Sequence, residues 1–444
     1  MIQSQKNFLE GLFLKIKTIS QSPLPQGFIV SSYWNILQNE TIQAAIRTNS
    51  VQESIYISQE SRAGFDHRGN PSDVTKKGIS ILDITKQRFA LLTKLFPNSN
   101  LKQLPQESRF SRQETIIKIQ DREYSNIFLY HLYFFLRVTD SIARNKSKYP
   151  INAFTDTVIL EIGGGYGGLA RIFSKVELNS RYIICDLAES LFFSYIFLTA
   201  NFPDKVILIA DSDDYDASSF DILLVPVQHF SILRNYQYEA IINTGSLQEM
   251  PDQTIHFWMQ LIKSIIGKGI FYSFNYFLND NKSHTSLVAG EFINKTCFRI
   301  DNYWDIVRFK INPDVLIADA ISNNWLELIG TYRSHSTNSS EMSFPTHNIE
   351  EHLDSSADHM TKLLSFEQLW ILHFKDPSNS KYIILLLKTI DQFKRGHIGN
   401  NVFPATPKAR LLDECKLLNL LHEDIYSPLY GEEIYLKEML LQTP

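Results

Sequence analysis

The sequence predicts an α/β protein in which a mainly parallel sheet is covered by helices on both faces, with helical regions at either end of the chain. Three observations carry this. From Thr157 onward, short β-branched runs alternate with helical stretches, the pattern of parallel strands buried on both sides. The first such strand runs into a glycine-rich turn that opens a helix. Before and after this part of the 444-residue chain, the apolar residues recur at helical spacing instead. A chain of this length divides most naturally into several regions. These are a mainly helical part over 1–150, acting as a substrate lid or in oligomerisation, and a sheet-bearing domain over 151–335. A polar linker over 336–359 and a helical C-terminal part over 360–444 follow.

Taken in order, residues 1–60 alternate helical patterns with polar turns, and Ser22-Pro23-Leu24-Pro25-Gln26-Gly27 is a break. Residues 61–80 read as an irregular polar loop. Helices are expected at about Ile79 to Leu95 and over Arg122 to Arg144, the latter rich in aromatics that suit core packing better than stacking on a sugar ring. Val158-Ile159-Leu160 is the first strand, followed by a helix from Gly168 to Lys175. Arg181 to Asp186 is the next strand, followed by a helix from Glu189 to about Asn201. Val206 to Ala210 and Asp221 to Val227 compete for the third core strand. Glu239 to Asn243 and Gly269 to Asn275 are further strands, with a helix from Asp252 to about Ile266 between them. Strand-like pieces at 296–332, including Asn324 to Gly330, supply the last strands of the sheet.

Composition is that of a globular chain, 44% hydrophobic and 20% charged, which excludes a disordered or collagenous protein. Residues 1–157 carry 20 Lys/Arg against 13 Asp/Glu, and residues 158–444 carry 23 against 35. Such asymmetry fits either docking of one region on the other or attraction of a phosphorylated substrate. Cys185, Cys297 and Cys415 form no metal-binding spacing and fit a reducing compartment. The start of the sequence lacks a basic segment leading into an unbroken apolar run, and Ile127 to Leu136 falls short of the ~20 residues a membrane span needs. A cytoplasmic protein with no membrane span and no nucleic-acid partner is expected, with homo-oligomerisation left open.

The chemistry lies in Leu160-Glu161-Ile162-Gly163-Gly164-Gly165-Tyr166-Gly167-Gly168. Glycines concentrated between a strand and a helix let a ligand lie against bare backbone at a helix N-terminus. Gly163-x-Gly165-x-x-Gly168 satisfies the dinucleotide fingerprint. Glu161-x-Gly163-x-Gly165-x-Gly167 satisfies the pattern of an S-adenosylmethionine loop instead. Glu161 favours the second, because a carboxylate suits a cationic ammonium and sulfonium and repels a pyrophosphate. Asp186, ending the second strand, can accept both ribose hydroxyls; its alternative is to cap the following helix. The expected cofactor contacts are Glu161, Gly163, Gly164, Gly165, Tyr166, Gly167, Asp186, Leu187 and Asn243, in a Rossmann-like class I methyltransferase domain.

Leu160 to Arg171 resembles the bacterial sugar O-methyltransferase family. So do Tyr182 to Glu189, the stretch Ile242-Asn243-Thr244-Gly245-Ser246-Leu247-Gln248-Glu249-Met250, Phe271 to Asn275 and Gly69-Asn70-Pro71. The likeness runs over about 65–330; the part over 360–444 is outside it. It implies methyl transfer to the hydroxyl of a free, nucleotide-linked or glycan-bound sugar. Glu249 is the first candidate for the base, with metal or substrate holding, or capping of the next helix, as its alternatives. His229, at another strand end, is the second. Ser246 and His256 are candidate substrate contacts, although His256 falls off the apolar face of its helix. The Asp211-Ser212-Asp213-Asp214-Tyr215-Asp216 turn fails the EF-hand pattern, so no metal ligand is assigned and magnesium dependence stays open. A methyltransferase acting on a non-sugar small molecule, a non-catalytic assembly subunit and a dinucleotide oxidoreductase are the alternatives.

Overall fold

A computed structural model describes residues 2–59, 80–99, 101–148, 158–176, 181–215, 219–276, 303–311 and 325–332, and more sparsely 367–372, 382, 385 and 386. The expected loop at 61–80, with Gly69-Asn70-Pro71, lies almost wholly outside these residues. So do the linker at 336–359, most of 360–444, Cys297 and Cys415.

The N-terminal part contributes α1 (Ile2–Ser20), α2 (Ser32–Arg47), α3 (Val51–Ser58) and α4 (Ile81–Leu95). A short hairpin follows, β1 (Ile117–Ile119) with β2 (Arg122–Tyr124), and then α5 (Asn126–Lys148). Periodicity alone starts that last helix at Arg122. Gln120 and Asp121 both have positive φ, 51° and 63°, the geometry of a two-residue hairpin turn. Residues 122–124 therefore pair back on 117–119, and the helix begins at Asn126.

The central unit alternates β3 (Val158–Ile162), α6 (Gly168–Val176), β4 (Arg181–Asp186), α7 (Ala188–Asn201), β5 (Ile207–Ile209), β6 (Ile222–Pro226), β7 (Tyr238–Thr244), α8 (Asp252–Ile265) and β8 (Ile270–Tyr276). The strands β9 (Trp304–Ile311) and β10 (Trp325–Tyr332) complete it. They form one eight-stranded sheet in the order β5-β6-β4-β3-β7-β8-β10-β9. The first six strands run parallel, and the last two attach antiparallel. Both contenders for the third strand are in the sheet: β6 pairs with β4, and β5 is the outer edge. This is a Rossmann-like α/β fold.

Starting from β3, the chain winds outward to β4 and β6, then returns to the other side of β3 for β7 and β8. That reversal opens a crevice at the carboxyl ends of β3, β4 and β7, where ligands of open α/β sheets bind. All five residues of β3 are buried, as a strand covered on both faces requires. Val158, Leu160 and Ile162 join the core beneath α8, together with Trp258, Met259 and Ile262. Leu369 and Trp370 extend the same core, and Trp370 stacks on Phe309 of β9. Ile159 points to the opposite face, into the core with Phe134, Phe173 and Phe192.

α7 is apolar almost all round, with Leu191, Phe192, Phe193, Ile196, Phe197 and Leu198 buried. A helix of that kind needs cover on both sides. The sheet covers one side, and α1, α2 and α3 pack on the other. The aromatic run Phe128 to Phe135 of α5 packs in the core as expected, all buried but Tyr130 and His131, which are half-buried. No helix among the described residues is long and apolar enough to cross a membrane.

One ion cluster ties the antiparallel edge to α5. Glu327 of β10 is fully buried, accepts hydrogen bonds from Tyr133 (2.8 Å) and Tyr272 (3.1 Å), and pairs with Arg308 and, at 3.4 Å, Arg137. Breaking a buried pair by deleting one partner costs about 3–5 kcal/mol, because the remaining charges lose their counter-ion. Glu327→Ala should therefore lower the unfolding free energy by an amount in that range, read as a lower urea midpoint with little change in slope. A loss below about 1 kcal/mol would mean that the arginines find solvent instead.

Candidate active site

The glycine loop leaves β3 and is held from three sides. Gly163 donates its N–H to the Cys185 carbonyl of β4 at 2.8 Å. Its φ is +73°, and a Cβ there would fall on the Ser246 side chain, so no larger residue fits. A Cβ on Gly164 would lie 2.7 Å from the Ile184 side chain and 3.0 Å from the Glu161 carboxylate. Gly165 donates to Asp186 Oδ2 at 3.1 Å and accepts from Ser194 Oγ at 2.5 Å. Tyr166, expected at the cofactor, is buried edge-to-face against Phe197 and anchors the loop in the core.

Asp186 also accepts from the Leu187 N–H at 2.7 Å and from the Ser190 side chain. The N-cap of α7 is Leu187, and it makes no side-chain cap bond. Asp186 thus clamps the loop to the end of β4. Asn243 is fully buried at the end of β7. Its Nδ2 donates to the Ile162 carbonyl (2.9 Å) and to Ser246 (2.6 Å), and its Oδ1 accepts from Leu247 N–H (3.2 Å) and Asn275 Nδ2 (2.8 Å). Its place is behind the loop, with its amide engaged by the chain itself.

Three carboxylates stand at these strand ends. Burial pushes Glu161 up to about 7, against one hydrogen bond from the Tyr182 hydroxyl, and the charge of Asp186 raises it further. Burial pushes Asp186 up to about 6 despite the Leu187 and Gly165 amides. Glu249, in the 3-10 turn that follows β7, is pushed up to about 8 by burial and then by Asp186, against one hydrogen bond from Trp34. Among the described residues, the groups acting on these three acids include no Lys, Arg or His. Glu161 is buried and Asp186 and Glu249 are half-buried, and like charges gathered there favour a cationic ligand.

His229 lies elsewhere. It is buried in the 3-10 segment Val227–Asn235 after β6, with Nδ1 3.3 Å from Asp213 Oδ1. Ser231 donates to the same oxygen at 3.0 Å, and the neighbouring Asp211 pairs with Lys15 at 3.1 Å. The strand order puts β4 and β3 between His229 and Glu249. At about 4.8 Å per strand, β6 and β7 lie roughly 14 Å apart. His256 is exposed on α8. Among the described residues, no group of three or more His, Cys, Asp or Glu is disposed to hold a metal ion.

Trp34 is a contributor that sequence reasoning misses, while Asn275 and Tyr182 lie in stretches it singles out without giving them a role. The two-residue alternation that buries Tyr182 on the face of Glu161 could have revealed it. Nothing in the local sequence links Trp34 to a residue 215 positions downstream.

No protein-family model and no curated protein matches the chain. Several solved structures do. Phosphoethanolamine N-methyltransferase 2 of Haemonchus contortus, in complex with S-adenosyl-L-methionine, is 14% identical; the match covers 44% of this chain and 52% of that one, with a TM-score of 0.27. The chain thus spans about half the length of this relative. A chain from Galdieria sulphuraria, described as a sarcosine dimethylglycine methyltransferase, is 12% identical over 45% and 86% of the two chains, with a TM-score of 0.29. The antibiotic-resistance methyltransferase Kmr is 11% identical over 40% and 88%, with a TM-score of 0.25. The strand order, rather than these superpositions, carries the fold.

The raised carboxylates have a consequence for stability. Between about pH 4 and pH 8 the folded protein binds more protons at Glu161, Asp186 and Glu249 than the unfolded chain, whose groups titrate near 4.5, 3.8 and 4.5. Their contribution to stability therefore falls as pH rises through that window. The thermal midpoint of Glu249→Gln, measured from pH 5 to 8.5, should gain steadily on wild type as pH rises. Parallel curves would show that Glu249 is solvated.

Proposed function

We propose that the chain is an S-adenosylmethionine-dependent O-methyltransferase and that its acceptor is a sugar hydroxyl. The observation that carries the cofactor is the trio Glu161, Asp186 and Glu249, set around a glycine loop at the carboxyl ends of β3, β4 and β7. These residues fit a ligand with two positive centres and a ribose, and they would repel the pyrophosphate of a dinucleotide. The sugar acceptor rests on the resemblance of Asn243 to Met250. Magnesium stays unassigned.

When bound, the cofactor supplies an electrophilic methyl group, which an acceptor oxygen takes as the carbon–sulfur bond breaks. Glu161 would hold the ammonium of its amino-acid end, and Asp186 its ribose. Asn243 and Ser246 would keep the loop and the turn after β7 in register. Glu249 would take the proton that the acceptor hydroxyl loses. Its raised acidity range suits that work near neutral pH, since a base is most effective when its pKa lies near the working pH.

Calorimetric titration tests the cofactor. Filling an acidic pocket with a cation favours the ionised acids, so S-adenosylmethionine should bind with proton release. It should also gain affinity over uncharged-sulfur S-adenosylhomocysteine as pH rises from 6 to 8.5, while NAD should not bind. Saturable NAD binding with none for either adenosyl ligand would sink the reading. For the chemistry, Glu249→Gln should lower kcat by about 10²-fold or more, assayed with methyl-labelled cofactor on a panel of nucleotide sugars. Near-normal turnover would remove Glu249 as the base.

A further inference from the structure

The N-terminal part reaches the site through one strap. Residues 27–31 cross the start of α8, where the Thr254 hydroxyl accepts from the Ile29 N–H at 2.9 Å and donates to the Ile29 carbonyl at 2.7 Å. Phe28 packs edge-on against Phe257 and Trp258, with ring centroids 5.6 and 5.9 Å away, and Ser31 is buried. α2 starts at Ser32, so Trp34 sits in its first turn, directly beyond this anchor. Glu249 lies five residues before Thr254. Both partners of the Trp34–Glu249 hydrogen bond therefore hang from one fixed point.

We propose that Trp34 is a positioning residue for methyl transfer: its indole N–H holds one oxygen of the Glu249 carboxylate and leaves the other to take the acceptor's proton. This rests on the reading of Glu249 as the base. The chemistry of the indole fits the role, because it is a donor only and cannot compete for that proton. A carboxylate has lone pairs on both oxygens, so holding one does not occupy the other. Glu249 stands on a 3-10 turn of three residues, a mount that fixes a side chain poorly. A misplacement of about 1 Å can cost roughly 10²-fold in rate. The hydrogen bond also favours the ionised carboxylate, opposing burial and the charge of Asp186, which is the titratable group that acts on Glu249 among the described residues. A base deprived of it would spend more of its time protonated and idle.

The first arm of the test needs no acceptor. In the full-length protein labelled with 15N-tryptophan, five indole signals are expected. One should titrate with a midpoint near that of Glu249, about 8, and lose its titration in Glu249→Gln. Five signals flat from pH 6 to 9.5, or a titration unchanged in Glu249→Gln, would overturn the proposal. The second arm uses methyl-labelled S-adenosylmethionine with the nucleotide-sugar panel. Trp34→Phe keeps the ring and removes the donor. It should lower kcat about tenfold or more, a part of the roughly 10²–10⁴-fold a base supplies. It should also move the acidic limb of the pH–rate profile to higher pH, with the KM for the cofactor unchanged. If Glu249→Gln is inactive while Trp34→Phe keeps the wild-type profile, positioning by Trp34 fails and the base stands. If Glu249→Gln turns over normally, the base itself fails.

Discussion

The site depends on one buried amide. Asn243 joins the carbonyl that ends β3, the hydroxyl of the turn after β7 and the amide of Asn275 on β8. Ser246 also donates to the Ile162 carbonyl, and the Asn275 amide also donates to Ser273, so these groups form one connected buried network with Asn243 at its centre. Satisfying them together fixes the carboxyl ends of three strands relative to one another. The glycine loop can then follow a path that would be strained in isolation, with Gly163 at positive φ pressed onto Ser246. Glu161, Asp186 and Glu249 inherit their places from that arrangement rather than from contacts with one another.

What the sequence makes legible follows from periodicity and from glycine. The strands from Val158 to Tyr276 are readable because fully buried parallel strands are short apolar runs, and the loop between β3 and α6 is readable because only glycine tolerates its geometry. Two matters were undecidable for physical reasons. Ile207–Ile209 and Ile222–Pro226 look alike as sequence, and pairing partners far along the chain decide which is inner and which is edge. The hairpin at 117–124 turns on positive φ at Gln120 and Asp121, residues with no glycine to announce it. In the site, strand-end residues such as Asp186 and Glu249 could be named in advance. Their surroundings could not, since Trp34 comes from a helix whose own sequence gives no reason for its position.

The two parts of the chain with opposite charge balance meet in specific pairs. Lys15 of α1 bridges to Asp211, and Lys146 of α5 reaches Glu239 at 2.6 Å. These are surface contacts of modest strength. The larger share of the attachment is apolar, through the buried residues of α1, α5 and α7 in one continuous core. The same holds at the other end, where Trp370 and Leu386 fill the core beneath β9. The described residues of both flanks thus belong to the cores that cover the sheet.

That arrangement has a temporal side. α1 is made well before α7, which begins at Ala188 and provides the main surface it covers. On a ribosome that adds about 5–20 residues per second, α1 waits on the order of ten seconds or more for its partner. Throughout that interval its apolar stripe of Leu9, Leu12, Ile16 and Ile19 lacks its main partner and has only the lesser contact with α2. Contacts so distant in sequence close slowly. Docking of α1 is therefore a late step of folding, timed by the position of α7 along the chain.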